Sequence, residues 1–444
     1  MLHPALRREL GLRDLVLLNF AAVAGIRWLA AAAHAGPGSI TLWLLAALFF
    51  FVPSALAVAG LSSKYPDEGG LYVWTRESFG DWHAFLCGWC YWLNNLFFLP
   101  SLLMAGVGMA AYAMGPGYSH LAENRWYVIP TALLVLWAAF FANVVGMKTG
   151  KWASNLGGAA TYAAGGLLIL AGAAAFLRQG SATPLDIRPE WNWEKMNFWS
   201  QIAFAFGGLE LGAVLGGEIR DPGRTIRRAA WISGLSASGF YIVGTLAVLV
   251  LLPAEGISIL TGLVQAGESA AQSFGAGWLS PLFALLVTAG IAGQVCAWLG
   301  GCARLPLVIG MDRHLPVSFA RLHPRWQTPH VSLVAQGVAC TVFLVVSQLG
   351  ETVRAGYQIL VDMAVITYFI PFLYIFLAAY RFGQRASGAC GALVTAAAIL
   401  LSLVPPAGVA SPWLFELKLL GGTAVLILAG RMGFRRWRTP APAA

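Results

Sequence analysis

Apolar residues along this chain gather into about twelve long runs, parted by short polar connections. Their approximate limits are 13–34, 40–62, 82–113, 126–146, 152–177, 197–219, 229–252, 279–304, 330–349, 356–380, 388–406 and 412–431. Each run is long enough for a helix to cross a bilayer, which takes roughly 20 residues. The pattern predicts an all-α polytopic membrane protein, with residues 1–444 forming one transmembrane domain. The third run has length to spare for tilt or an interfacial helix. Residues 258–274, between runs seven and eight, predict a short helix over the outer mouth. The first run is too long for a secretory leader, and no small-residue cleavage site follows it.

Two runs are interrupted. The first carries Ala24-Gly25-Ile26-Arg27 at its middle. An arginine at mid-helix costs roughly 2.5–3.5 kcal/mol on insertion scales, and Gly25 offers a place for the helix to break. The sixth carries Phe204-Ala205-Phe206-Gly207-Gly208-Leu209-Glu210, a glycine pair with a carboxylate two residues on. The two runs cross in opposite directions, and Gly25 and Gly207 stand 182 residues apart. That offset suits two five-helix repeats of inverted topology, about 13–177 and 197–380, with peripheral helices at about 388–431. Glycine in a membrane helix usually serves close packing. Two interruptions at matching positions, each beside an ionisable residue, point instead to a site.

Composition agrees with the pattern. Hydrophobic residues make up 58% of the 444 and charged residues 11%, with a mean hydropathy of +0.70; soluble domains carry about 25% charged residues. The net charge of +9 raises a nucleic-acid partner as one reading. Its distribution favours topology. With the N-terminus in the cytoplasm, that side collects 21 of the 28 Lys and Arg residues and the opposite side six, leaving Arg27 inside the membrane. This asymmetry puts both termini in the cytoplasm, in a plasma membrane (for a bacterial chain, the inner one), and removes nucleic acid as a partner. The tryptophans near run ends, among them Trp43, Trp126, Trp152 and Trp278, read as interfacial belt residues. Cys87 and Cys90 have redox or metal spacing without a second pair, so the six cysteines read as small buried hydrophobes. The histidines form no metal-ligand cluster, and no cofactor is called for.

Inverted repeats bring two broken helices together at the bilayer midplane, where half-helix N-termini offer N–H groups to an anion and C-termini offer carbonyls to a cation. Free backbone in lipid is tolerated only where protein or a water-filled cavity satisfies it. A zwitterion such as an amino acid suits such a site.

Four stretches resemble the amino acid–polyamine–organocation family of permeases. They are Ala24-Gly25-Ile26; Lys64-Tyr65-Pro66 through Trp74, with Phe79-Gly80; Phe204 through Glu210, continuing to Glu218 and Asp221-Pro222-Gly223-Arg224; and Arg304 through Pro316. The resemblance implies a LeuT-like fold of five plus five inverted-repeat helices and two peripheral ones. It implies a secondary transporter, not an enzyme, moving a small-molecule substrate by proton symport or exchange. By position, it places Ala24, Gly25 and Ile26 at the substrate carboxylate, Phe206, Gly207 and Gly208 near the ammonium, and Phe204 at an aromatic gate. Trp298 matches an aromatic near the substrate, and Glu210 matches an acidic position tied to proton sensing or gating. The Pro66–Trp74 and Asp221–Arg224 stretches look like gating and scaffold elements. Many members have a small residue where this chain has Arg27; a basic residue there looks more like the glutamate:GABA antiporter branch.

Three arrangements are open to Arg27. It can pair with Glu210, Glu218 or Asp362, it can bind an acidic substrate group bidentately, or it can snorkel. Glu210 is the first candidate for proton coupling, because a carboxyl group taken out of water can exchange a proton near neutral pH. Asp362, inside run ten, is a functional candidate by its place in the membrane. Glu218 is expected to cap or pair with the Arg220–Arg228 cluster. Buried amides, Asn94 and Asn95 among them, bond between helices or face the cavity. A membrane-embedded enzyme would need convergent catalytic groups, and a channel would need repeated pore loops or charged rings; neither pattern is present. An amino acid carrier is the expected function. A polyamine or organic-cation carrier, or an acidic amino acid:amine antiporter, is the alternative.

Overall fold

The computed structural model describes residues 8–189, 193–349, 352–404, 413 and 416–437. Trp191 and most of the start expected for the twelfth run lie outside them. Spans are numbered here in the order of the runs. Among the described residues, nine helices are long and apolar enough to cross a membrane, including Ser39–Lys64 (span 2), Arg125–Val144 (span 4) and Pro222–Leu251 (span 7). The chain is therefore an integral membrane protein of many apolar spans. Span 9, His330–Val346, is shorter. The described part of span 12 runs from a π-helical turn, Leu417–Gly421, into the helix Gly422–Trp437.

Span 3 is one helix, Asp81–Ala110, running on into a 3₁₀ turn at Ala111–Met114. It is buried along most of its length and packs on span 8 and on span 10, Val353–Arg381. Span 8, Leu279–Cys302, also lies along span 5, Met147–Gln179. The short helix expected within residues 258–274 is Gly262–Ser273. It packs on spans 7 and 8 and on the second half of span 1.

Three expectations change. Span 8 does not end at Arg304; a further helix, Arg304–Met311, continues it, and Arg304 is buried at 2% exposure. Trp43 is no belt residue. Its ring stacks on Tyr241 at 4.3 Å and its Nε1–H donates to Thr245 Oγ1, whereas Trp126, Trp152 and Trp278 are exposed. Glu218 turns away from the Arg220–Arg228 cluster to pair with Arg304. The chain reverses at Asp221, with φ 46°, so the basic residues after it start a new helix facing outward. Five cysteines are buried and Cys390 is partly so.

Candidate functional site between the broken spans

Span 1 is two helices, Leu12–Val23 and Arg27–His34, joined by Ala24-Gly25-Ile26. Span 6 ends its first helix, Trp193–Ala205, and resumes only at Leu211–Val214. Gly208 has φ +117°, a conformation open to glycine and strained for other residues. The two interruptions face each other. A Cβ on Gly208 would lie 3.2 Å from the Ala22 carbonyl carbon and from the Trp298 ring. Interrupted backbone leaves polar groups to be satisfied from elsewhere. Tyr241, on span 7, supplies much of this. Its hydroxyl accepts from Gly25 N–H at 3.1 Å, lies 2.8 Å from Ala205 O and is hydrogen-bonded to Val23 O. Gln294 Nε2 and Trp298 Nε1, from span 8, both donate to Ala22 O, at 2.8 and 3.1 Å. The N–H groups of Ile26 and Arg27, at the start of the second half-helix, find no acceptor among the described residues.

Between the breaks lies a small cavity walled by Ala22, Val23, Trp28, Asn94, Phe204 and Trp298, with Gly207, Gln294, Phe98 and Tyr368. Its free space is about 10 Å³, room for about one water. Aromatic rings close it: Trp28 meets Phe204 at 5.9 Å, Phe98 meets Phe204 at 5.7 Å, and Phe204 meets Tyr368 at 4.9 Å. Asn94 Nδ2 donates to Ala364 O, while its Oδ1 has no partner.

Of the sequence-derived residues, Phe204, Gly207 and Trp298 line this cavity. Ala24, Gly25 and Ile26 form the break beside it. The Phe206 ring turns away, against Trp43, Phe51 and Tyr241, so only its backbone can face a ligand. Arg27 lies one aromatic layer behind the wall. Its guanidinium sits 4.5 Å from the Trp28 ring centre and 5.0 Å from that of Phe98. Nη1 donates to Ser101 Oγ and Tyr357 OH, each at 3.3 Å; Nε and Nη2 are buried without partners.

Each carboxylate that sequence offered to Arg27 is engaged elsewhere. Glu210 Oε1 accepts from Tyr91 and Tyr368 hydroxyls at 2.6 and 2.7 Å, and its Oε2 accepts from Gly208 N–H at 3.1 Å. Glu218 pairs with Arg304 at 3.1 Å. Asp362 accepts from Gln358 at 3.0 Å and lies outside the cavity wall. Among the described residues no carboxylate lies within ion-pair distance of Arg27. Glu210 thus ties the break of span 6 to spans 3 and 10, through two tyrosines that sequence reasoning did not single out. Tyr241 and Trp28 escaped it as well, because an aromatic inside a span reads first as packing. Only their contacts separate them from the other rings.

The model of an amino acid permease family matches residues 10–405. An uncharacterized transporter of Legionella pneumophila is 28% identical over 95% of this chain and 95% of its own length. A serine/threonine exchanger of Bacillus subtilis is 24% identical, over 86% of this chain and 85% of the exchanger. A glutamate/gamma-aminobutyrate antiporter of Lactococcus lactis is 20% identical, over 83% and 78%. In structure, MhsT in complex with L-phenylalanine superimposes with a TM-score of 0.62 at 13% identity, over 95% of this chain and 98% of that one. The fold is LeuT-like.

Proposed function

The chain belongs to the amino acid permease family, and on that premise we propose that this secondary-active permease carries amino acids with a second anionic group. The termini face the cytoplasm in this reading, and the inverted repeats run over about 13–177 and 197–380. The observation that carries it is Arg27: a buried guanidinium, two nitrogens unpartnered, one aromatic layer from the cavity. Burying a cation without a counter-charge is costly. A guanidinium is suited to close on a carboxylate with two parallel bonds. The free N–H groups of Ile26 and Arg27 give the backbone carboxylate its place at the positive end of a half-helix. Asn94 Oδ1 is left for the ammonium. When Trp28 or Phe98 swings aside as the cavity opens, the Arg27 donors reach the distal acidic group.

The glutamate/gamma-aminobutyrate antiporter among the relatives is compatible with this substrate class, and the serine/threonine exchanger shows that the family spans others. Glu210 is the proton-coupling residue of this account, because it links both halves of the site through the Tyr91 and Tyr368 hydroxyls. A polyamine carrier fits less well, since Arg27 would repel a polycation. The test is counterflow into liposomes holding the purified protein, screened with the twenty amino acids, GABA and polyamines at two pH values. Glutamate or aspartate should drive the largest exchange. A ranking led by leucine or putrescine would overturn the assignment.

A further inference from the structure

A second buried charge cluster lies on the face that carries the N-terminus. Three elements build it. Residues 65–70, after span 2, pack onto the second half of span 6. Gly69 N–H donates to Val214 O at 3.0 Å, and Gly217 N–H donates to Glu68 Oε2 at 2.8 Å. The approach leaves no room for a side chain, because a Cβ on Gly216 would lie 2.4 Å from Pro66 O. One residue past Gly217, Glu218 meets Arg304 of the span 8 extension. Beside that pair lies a cavity of about 180 Å³, walled by Glu9, Lys148, Glu218, Arg304 and Arg325 with neighbouring backbone.

The cluster holds two carboxylates and one guanidinium. Arg304 is fully committed: Nε and Nη2 go to Glu218 and Nη1 to Gly300 O. Among the described residues no cation lies within ion-pair distance of Glu68. The backbone around it is half-exposed, but its carboxyl end is buried, and Oε1 has no partner. An anion so placed, with one N–H for company, is costly to keep and is relieved by taking up a proton.

We propose that Glu68 is a proton-binding positioning residue. Protonated, it stays buried against Gly217 with the second half of span 6 closed; ionised, its burial is costly and that half is released. The proposal rests on the alternating-access reading above. The charged groups facing Glu68 are Glu218 from span 6 and Arg304 from span 8. Glu9 stands behind Glu218, Lys148 and Arg325 line the adjoining cavity, and Arg76 and Asp312 on the same face pair with each other. Burial pushes the Glu68 carboxyl up to about 8; the Glu218 charge adds to this, while Arg304 and the Gly217 N–H oppose it. With the gate open and the group in water its value falls to about 4.3. The closed state therefore binds the proton more tightly. The proton-linked advantage of the closed state is full below about 4.3 and is lost progressively as the pH rises from there to about 8. The proton enters and leaves on one face, so this is gating without net proton movement.

Hydrogen–deuterium exchange of residues 211–219, corrected for intrinsic rates, tests it in the purified protein without a substrate. Between pH 6 and 8.5 the parent should lose protection by on the order of a hundredfold. E68Q keeps a neutral acceptor for Gly217 N–H and should stay protected at both values. E68A lacks the acceptor and should exchange fast at both. A parent with equal protection at the two values overturns the proposal, and so does an E68Q variant that follows the parent. Neither readout depends on which solute is carried, so it can fail while the counterflow assignment stands, or the reverse.

Discussion

Arg27 and Arg304 are buried to the same depth, at 1% and 2% exposure, and they are treated oppositely. Arg304 has Glu218 and a backbone carbonyl on its three nitrogens. Arg27 has two hydroxyls on one nitrogen, rings around it, and nothing on the other two. A buried charge that is fully paired locks elements together. One left open is either a liability or a place for a partner that comes and goes. Arg304 joins two elements on the N-terminal face, and Arg27 stands over the cavity between the broken spans.

The strongest way to break this comparison is to delete each arginine and follow thermal unfolding in detergent. R304A leaves Glu218 buried without its cation and should cost about 3–5 kcal/mol. R27A loses two hydrogen bonds, ring contacts and packing but also removes an uncompensated charge, so its net cost should be about 1–2 kcal/mol, below that of R304A. Equal losses would show that Arg27 is a structural residue like Arg304. E210Q comes next. The amide can still accept from Tyr91 and Tyr368, but its NH₂ then faces the Gly208 N–H, a cost of about 1–3 kcal/mol. The pH profile of uptake should flatten, and an unchanged profile removes Glu210 from coupling. Y241F deletes the hydroxyl that joins Gly25, Val23 and Ala205. It should cost about 1 kcal/mol and slow exchange while binding stays measurable. D362N is the control. Asp362 lies outside the cavity wall, so counterflow should be unchanged.

The contrast between the arginines was half legible in sequence. Arg27 announced itself because a charge inside an apolar run is expensive wherever it lands. Arg304 did not. It sits where run eight gives way to polar residues, and hydropathy cannot tell a loop from a helix that continues inside the protein. The breaks at Gly25 and Gly207 were readable because glycine beside an ionisable group recurs at matching offsets. The partners were not. Which carboxylate meets which arginine depends on how five helices rotate about their axes, and apolar runs buried on all sides carry little periodicity to fix that rotation. Thus Glu218 was assigned to its sequence neighbours at Arg220–Arg228 and found its cation 86 positions away. Tyr91, Tyr241 and Tyr368 were invisible for the same reason, since each acquires its role only from a hydroxyl contact across helices.

The proposed function stands on Arg27 being held open for an anionic group of the substrate. Counterflow of labelled glutamate and of labelled leucine through the parent and R27Q, in one liposome preparation, tests it most directly. A charge-assisted hydrogen bond of about 1.5–3 kcal/mol corresponds to a loss of roughly 10- to 100-fold for glutamate, with leucine transport unchanged or improved. An equal fall for both substrates, or none for either, would contradict the account.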